Sequence, residues 1–93
     1  MRTIERSSAF KRDYKREAKG KHRNTLDKML EAVLTALATD RPLAARYRDH
    51  SLSGNWAGYR ECHIKPDLLL IYWSADDHTL RLARLGSHST LFG

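Results

Sequence analysis

Six apolar residues in unbroken succession, Leu68 to Trp73 within the segment LLLIYWS, constrain this chain more than any other feature. A strand with one face in water alternates apolar and polar residues. A run that does not alternate reads as a central strand covered on both faces, which needs a neighbour on each side. The flanking segments supply those neighbours. WAGYRECHI comes before it across a turn at Lys65-Pro66, and TLRLARLG comes after it across the polar turn ADDH. The three segments together predict an antiparallel meander.

The first half of the chain supplies the covering layer. RTIER alternates and is followed by Ser7-Ser8, which predicts a strand and then a helix N-cap. AFKRDYKREAK continues as a helix, with Phe10 and Tyr14 on one face and a stop at Gly20. Asn24 is expected to cap a second helix, with Asp27 in its first turn. Leu26, Met29, Leu30, Val33, Leu34 and Leu37 then recur at the helical period and mark a core face, until Asp40-Arg41-Pro42 ends the helix. Residues 43–55 read as an irregular connection. The order strand, two helices, three-strand meander predicts a two-layer α+β fold, one domain over residues 1–93.

Charge narrows the partners. The net charge is +6, and residues 1–23 carry all of the excess, with nine Lys and Arg against three Asp and Glu. A one-sided basic surface steers polyanions or an acidic protein partner, although a charge run alone fits a solvated face equally well. No apolar run reaches the roughly 20 residues that cross a bilayer, and the N-terminus has no apolar signal region, so no membrane role is expected. The single cysteine, Cys62, cannot form an internal disulfide, as suits a reducing cytosol.

Five histidines punctuate the sequence: His22, His50, His63, His78 and His88. His22 falls in a basic loop and His78 in a turn, and neither is given a role. Pairing the meander around Lys65-Pro66 brings His63 and Asp67 to one end of the sheet. The last strand returns Arg84 and His88 to that end, and His50 enters just before the meander. Taken singly each histidine fits a solvated surface, but together they suit phosphodiester chemistry. Imidazoles with an ordinary pKa of about 6.5 exchange protons near neutral pH. RNA carries its own 2′-OH nucleophile, so no metal is needed. Phe92 could stack on a splayed base. A divalent metal held by two or three His and one Asp is a weaker alternative without HxxxH-type spacing. Cys62 alternates with His63 and is expected to point into the core rather than act as a nucleophile.

The segments YRDHSLSGNWAGYRECHIKPDLLLIYW and LRLARLGSHSTLF resemble the YafQ-type branch of the RelE/ParE toxin superfamily. The resemblance is strongest over residues 47–93 and extends by length and element order to the whole chain. It implies a cytoplasmic toxin of a type II toxin–antitoxin system. Such a toxin is a ribosome-dependent endoribonuclease that cleaves mRNA codons in the A site without a metal or other cofactor. The alternative on this fold is a non-catalytic, gyrase-targeting ParE-like inhibitor, which would not need this histidine set. The implied catalytic residues are His50 as base, His88 as acid, with these two roles interchangeable, His63 with Asp67 as support, and Phe92. Arg84, Arg60 and Lys65 are expected at RNA phosphates. Lys11, Lys15, Arg16, Lys19, Lys21 and Arg23 are expected on ribosomal RNA. The implied partners are a DinJ/RelB-like cognate antitoxin, the 70S ribosome with its mRNA, and operator DNA reached only through the antitoxin.

Overall fold

A computed structural model describes residues 1–74 and 76–93. The elements are β1 (Thr3–Arg6), α1 (Ser8–Glu17), α2 (Leu26–Ala38), β2 (His50–Ser51), β3 (Arg60–Lys65), β4 (Leu68–Trp73), β5 (Thr79–Gly86) and α3 (His88–Phe92). The five strands form one sheet in the order β1-β5-β4-β3-β2. β1 lies parallel to β5, and every other pairing is antiparallel.

The two-layer α+β expectation holds, with the apolar run as the central strand β4. Leu68, Leu70 and Tyr72 face α1 and α2 and pack into one cluster with Phe10, Leu26, Leu30 and Val33. Leu69 and Ile71 alternate onto the opposite, outer face and are still buried. This double burial explains why the run does not alternate. No helix among the described residues is long and apolar enough to cross a membrane.

Local signals succeed where the backbone has no other acceptor. Ser7 caps α1 and accepts from the Phe10 amide. Asn24 does not cap α2. Thr25 occupies that position, and the Thr25 and Leu26 amides donate to the His22 carbonyl. The interhelix turn thus satisfies amides that a side-chain cap would serve. α1 closes at Ala18, ahead of Gly20. α2 ends as expected: Asp40 takes φ 60°, the Arg41 amide donates to Ala36 and the Asp40 amide to Leu37.

Three differences bear on the site. The stretch 43–55 contains 3₁₀ turns at Ala45–Tyr47 and Gly54–Trp56 and the two-residue β2. The first meander strand begins at Arg60, not Trp56, because Gly58 at φ 93° breaks the extended run. The hairpin loop is Pro66-Asp67, since Lys65 pairs directly with Leu68. In the following turn, Asp76 accepts from the His78 and Thr79 amides; Ala75, which opens the expected ADDH turn, lies outside the described residues.

β1 pairs only with Thr79 to Leu82 of β5. Beyond that, α1 closes the strand's open edge. The Ser7 hydroxyl donates to Ala83, Arg16 donates to the Leu85 carbonyl, and the Leu85 amide donates to Asp13. An uncovered edge is a template for unwanted pairing, and side chains here take its place.

Candidate functional site

Strand register assembles the site. Residues directly opposite one another across paired strands share a face. His50 opposes Glu61, Glu61 opposes Ile71, and Ile71 opposes Arg84, which makes one row across the outer face. The next row runs His63, Leu69, Gly86. His63 and Gly86 therefore stand two strand spacings apart, about 10 Å. α3 lies over this row on the same face. A Cβ built on Gly86 would sit 3.3 Å from Leu91 Cδ2 and 2.8 Å from the Arg16 guanidinium. A side chain there would have to displace one of them.

Glu61 joins two of the expected histidines. It is 5% exposed, and its Oε1 lies 3.6 Å from His50 Nε2 and 3.3 Å from His63 Nε2. The two rings are 6.5 Å apart. His50 Nδ1 donates to the Arg48 carbonyl at 2.7 Å, since a carbonyl can only accept. That bond fixes the tautomer and presents Nε2 toward Glu61 and the open face. Arg48 holds this carbonyl in place from a left-handed backbone, φ 48°.

His88 opens α3, whose N-cap Ser87 accepts from the Thr90 amide. Its ring lies 5.0 Å from Phe92, and both side chains are exposed. One helical turn brings these two residues together. No ring contact or hydrogen bond links His88 to His50 or His63 among the described residues.

Asp67 is placed differently from the expectation that pairs it with His63. At the tip of the hairpin loop it turns toward the interhelix segment, bonds His22 Nε2 at 3.0 Å and pairs with Lys21. The Lys21 contact, reinforced by His22, holds its carboxyl below the ordinary aspartate range. Arg84 reaches round the β5 edge to Asp13, with Nε on Oδ2 at 2.7 Å and Nη2 on Oδ1 at 3.2 Å. Burial alone would raise the Asp13 carboxyl, but donation from Arg84, the Leu85 amide and Arg16 holds it below its ordinary value. Arg60 lies against Asp49, which also accepts from the Tyr72 hydroxyl. Arg16 is engaged by Asp13 and Glu17, whereas Lys11, Lys15, Lys19 and Arg23 are exposed. Lys65 is exposed beside His63. Cys62 is fully buried as expected, and burial, with Asp49 and Glu61 nearby, pushes its thiol up to about 12.

Sequence reasoning missed Glu61, Asp13, Asp49 and His22. Glu61 has a sequence signal, because a residue two before His63 on a strand shares its face. Asp13 has none, since it meets Arg84 across 71 residues of chain. Chemically, the outer face offers an oriented imidazole beside a buried carboxylate, with a second imidazole on that carboxylate. A third imidazole and a ring that can stack stand about two strands away.

The chain matches the family described as "Bacterial toxin of type II toxin-antitoxin system, YafQ" over residues 2–93. It is 39% identical to the mRNA interferase toxin YafQ of Escherichia coli K12, covering 100% of this chain and 98% of that protein. Among solved structures, the toxin in the E. coli DinJ-YafQ complex is 38% identical with a TM-score of 0.81, covering 100% of both chains. A metal-bound toxin from Helicobacter pylori is 46% identical with a TM-score of 0.82, covering 99% of this chain and 100% of that one. Among the described residues of this chain, no three His, Cys, Asp or Glu side chains are placed to hold a metal ion. The Glu61 carboxylate lies between the His50 and His63 rings.

Proposed function

The chain belongs to the YafQ family of bacterial toxins of type II toxin–antitoxin systems, and from that premise we propose that it is an mRNA interferase working as a single domain over residues 1–93. It cuts messages in the ribosomal A site by attack of the 2′-OH on the adjacent phosphate. His50 Nε2 takes the 2′-OH proton. The 2′-oxygen forms a bond to phosphorus as the bond to the 5′-oxygen breaks, and His88 protonates the departing 5′-oxygen. The products are a 2′,3′-cyclic phosphate and a 5′-OH. General acid–base catalysis of this kind contributes roughly 10²–10⁴-fold.

The observation that carries this reading is Glu61, buried between His50 and His63. Its charge stabilises the imidazolium that forms as the 2′-OH loses its proton, while the Arg48 carbonyl keeps the ring aimed. His63, with Asp67 anchoring the hairpin loop, supports the developing phosphorane. Phe92, its ring tilted beside His88, takes a splayed base. Arg84, Arg60 and Lys65 neutralise phosphate charge. Arg84 spends Nε and Nη2 on Asp13, which leaves Nη1 for RNA.

The E. coli relative is solved with DinJ. We assign this chain a cognate antitoxin of that kind, with operator DNA reached through it, and a cytoplasmic site of action on ribosomes. Lys11, Lys15, Lys19 and Arg23, with Arg16 and Lys21 beside them, form the ribosomal RNA face. Mapping mRNA ends in cells expressing wild type and His88→Ala tests the function. Wild type is expected to arrest growth with in-frame cuts, and the variant to do neither. Equal toxicity without cuts would favour the gyrase-inhibitor alternative and overturn the nuclease reading. Equal cutting of naked and ribosome-bound message would remove the ribosome dependence.

A further inference from the structure

The cations of this chain fall into two kinds. Arg2, Arg16, Lys21, Arg60, Arg81 and Arg84 each meet a carboxylate at ion-pair distance. Of the cations that meet none among the described residues, Arg46, Arg48 and Lys65 line one cleft of about 650 Å³. The cleft lies between the 3₁₀ turn Ala45–Tyr47 and the end of β3 that β2 leaves unpaired. No acidic residue lines it among the described residues.

Its remaining surfaces suit a base. Tyr47 forms one wall, with the Arg46 guanidinium 4.9 Å from the ring centroid and donating to the phenol oxygen at 3.1 Å. Met29, Ile64 and Pro66 add apolar surface. His63 opens into the same cleft, and the residue that contributes a cation there, Arg48, also orients His50 through its carbonyl. The cleft is therefore continuous with the catalytic row.

We propose that this cleft binds the nucleotide of the message that adjoins the scissile phosphate. Its phosphate lies among Arg46, Arg48 and Lys65, and its base rests on Tyr47. Unpaired cations suit a phosphate, and an aromatic wall beside apolar surface suits an unstacked base. Ribosomal RNA has the same chemistry, but continuity with His63 and His50 favours the message. The assignment rests on the mRNA interferase reading.

The test combines Arg46→Gln with Arg48→Gln in the full chain and compares Lys11→Gln with Lys15→Gln on α1. Affinity for a fluorescent single-stranded 2′-O-methyl hexaribonucleotide is read by anisotropy across salt concentrations. Cleavage of ribosome-bound message is read alongside. The cleft pair is expected to weaken oligonucleotide binding about tenfold and to lower the salt slope by about 0.7 for each phosphate ion pair removed. It should raise KM more than it lowers kcat, and the α1 pair should leave oligonucleotide binding unchanged. Unchanged affinity and KM in a cleft variant of an active enzyme would overturn the proposal. An equal loss from the α1 pair, or a loss of ribosome binding alone, would overturn it too. A wild type that binds the oligonucleotide through these residues yet cuts no message would keep the cleft and remove only the nuclease reading.

Discussion

At the scale of single residues, two buried carboxylates organise the site, and they act on different quantities. In the proposed mechanism Glu61 serves chemistry. Glu61→Gln preserves shape and one acceptor oxygen but removes the charge between His50 and His63. We expect kcat on ribosome-bound message to fall by about tenfold or more, a share of the roughly 10²–10⁴ that acid–base catalysis supplies. The melting temperature should move little, and single-turnover cleavage with a thermal melt checks both. Asp13 serves stability and placement. Asp13→Asn leaves Arg84 and the Leu85 amide poorly matched, at a cost of about 2–4 kcal/mol, moderated because Arg16 is partly solvated. Its folded carboxyl sits below the ordinary 3.8, so its contribution is fully present above that value. The contribution is lost as pH falls through the depressed folded value. Denaturant melts of wild type and variant should differ most near neutral pH and converge in acid. A constant difference at all pH values would remove the role given to the ionised form.

At the scale of elements, α3 is set by close approach to Gly86 as well as by its Ser87 cap. Gly86→Ala would push a methyl to 2.8 Å from the Arg16 guanidinium and 3.3 Å from Leu91. Arg16 is held by Asp13 and the Leu85 carbonyl, so the strain should pass to α3, at about 1–3 kcal/mol. Because α3 carries His88 and Phe92, activity should fall further than stability, and rates beside melting temperatures check this. The elements legible in the sequence are those with a strong local signal: the unbroken β4, the apolar stripe of α2 and the Ser7 cap. β2 was not legible, because two residues have no period to read. The Asn24 cap failed because a turn carbonyl supplies the acceptor that a side chain would otherwise provide.

At the scale of the whole molecule, the cations divide into an exposed set and a set paired with carboxylates. The exposed cations of α1 and the interhelix loop face outward, while Arg16, Lys21, Arg60 and Arg84 are occupied by carboxylates. Cleavage on the ribosome should therefore weaken steeply as salt rises, through both the α1 face and the cleft. Measuring kcat/KM across ionic strength checks this, and a flat dependence would count against the ribosomal RNA face. With two histidines as base and acid, the pH–rate profile should be bell-shaped. His50→Ala should remove the acidic limb and His88→Ala the basic limb, and the reverse pattern would exchange their roles.

The layers, the meander and the end of the sheet to which His63, Asp67, Arg84 and His88 return are all readable from the chain. Apolar periodicity and strand alternation are local properties of the chain, written every two or every 3.6 residues. Which charged group meets which is settled by the folded arrangement. Glu61 stands between the histidines, Asp67 turns to Lys21 and His22, and Asp13 takes Arg84. Those pairings depend on the strand register, on a hairpin loop at Pro66-Asp67 in place of Lys65-Pro66, and on a helix that closes an open edge. Long-range electrostatic partners leave no period in the chain, because folding alone sets the distance between them.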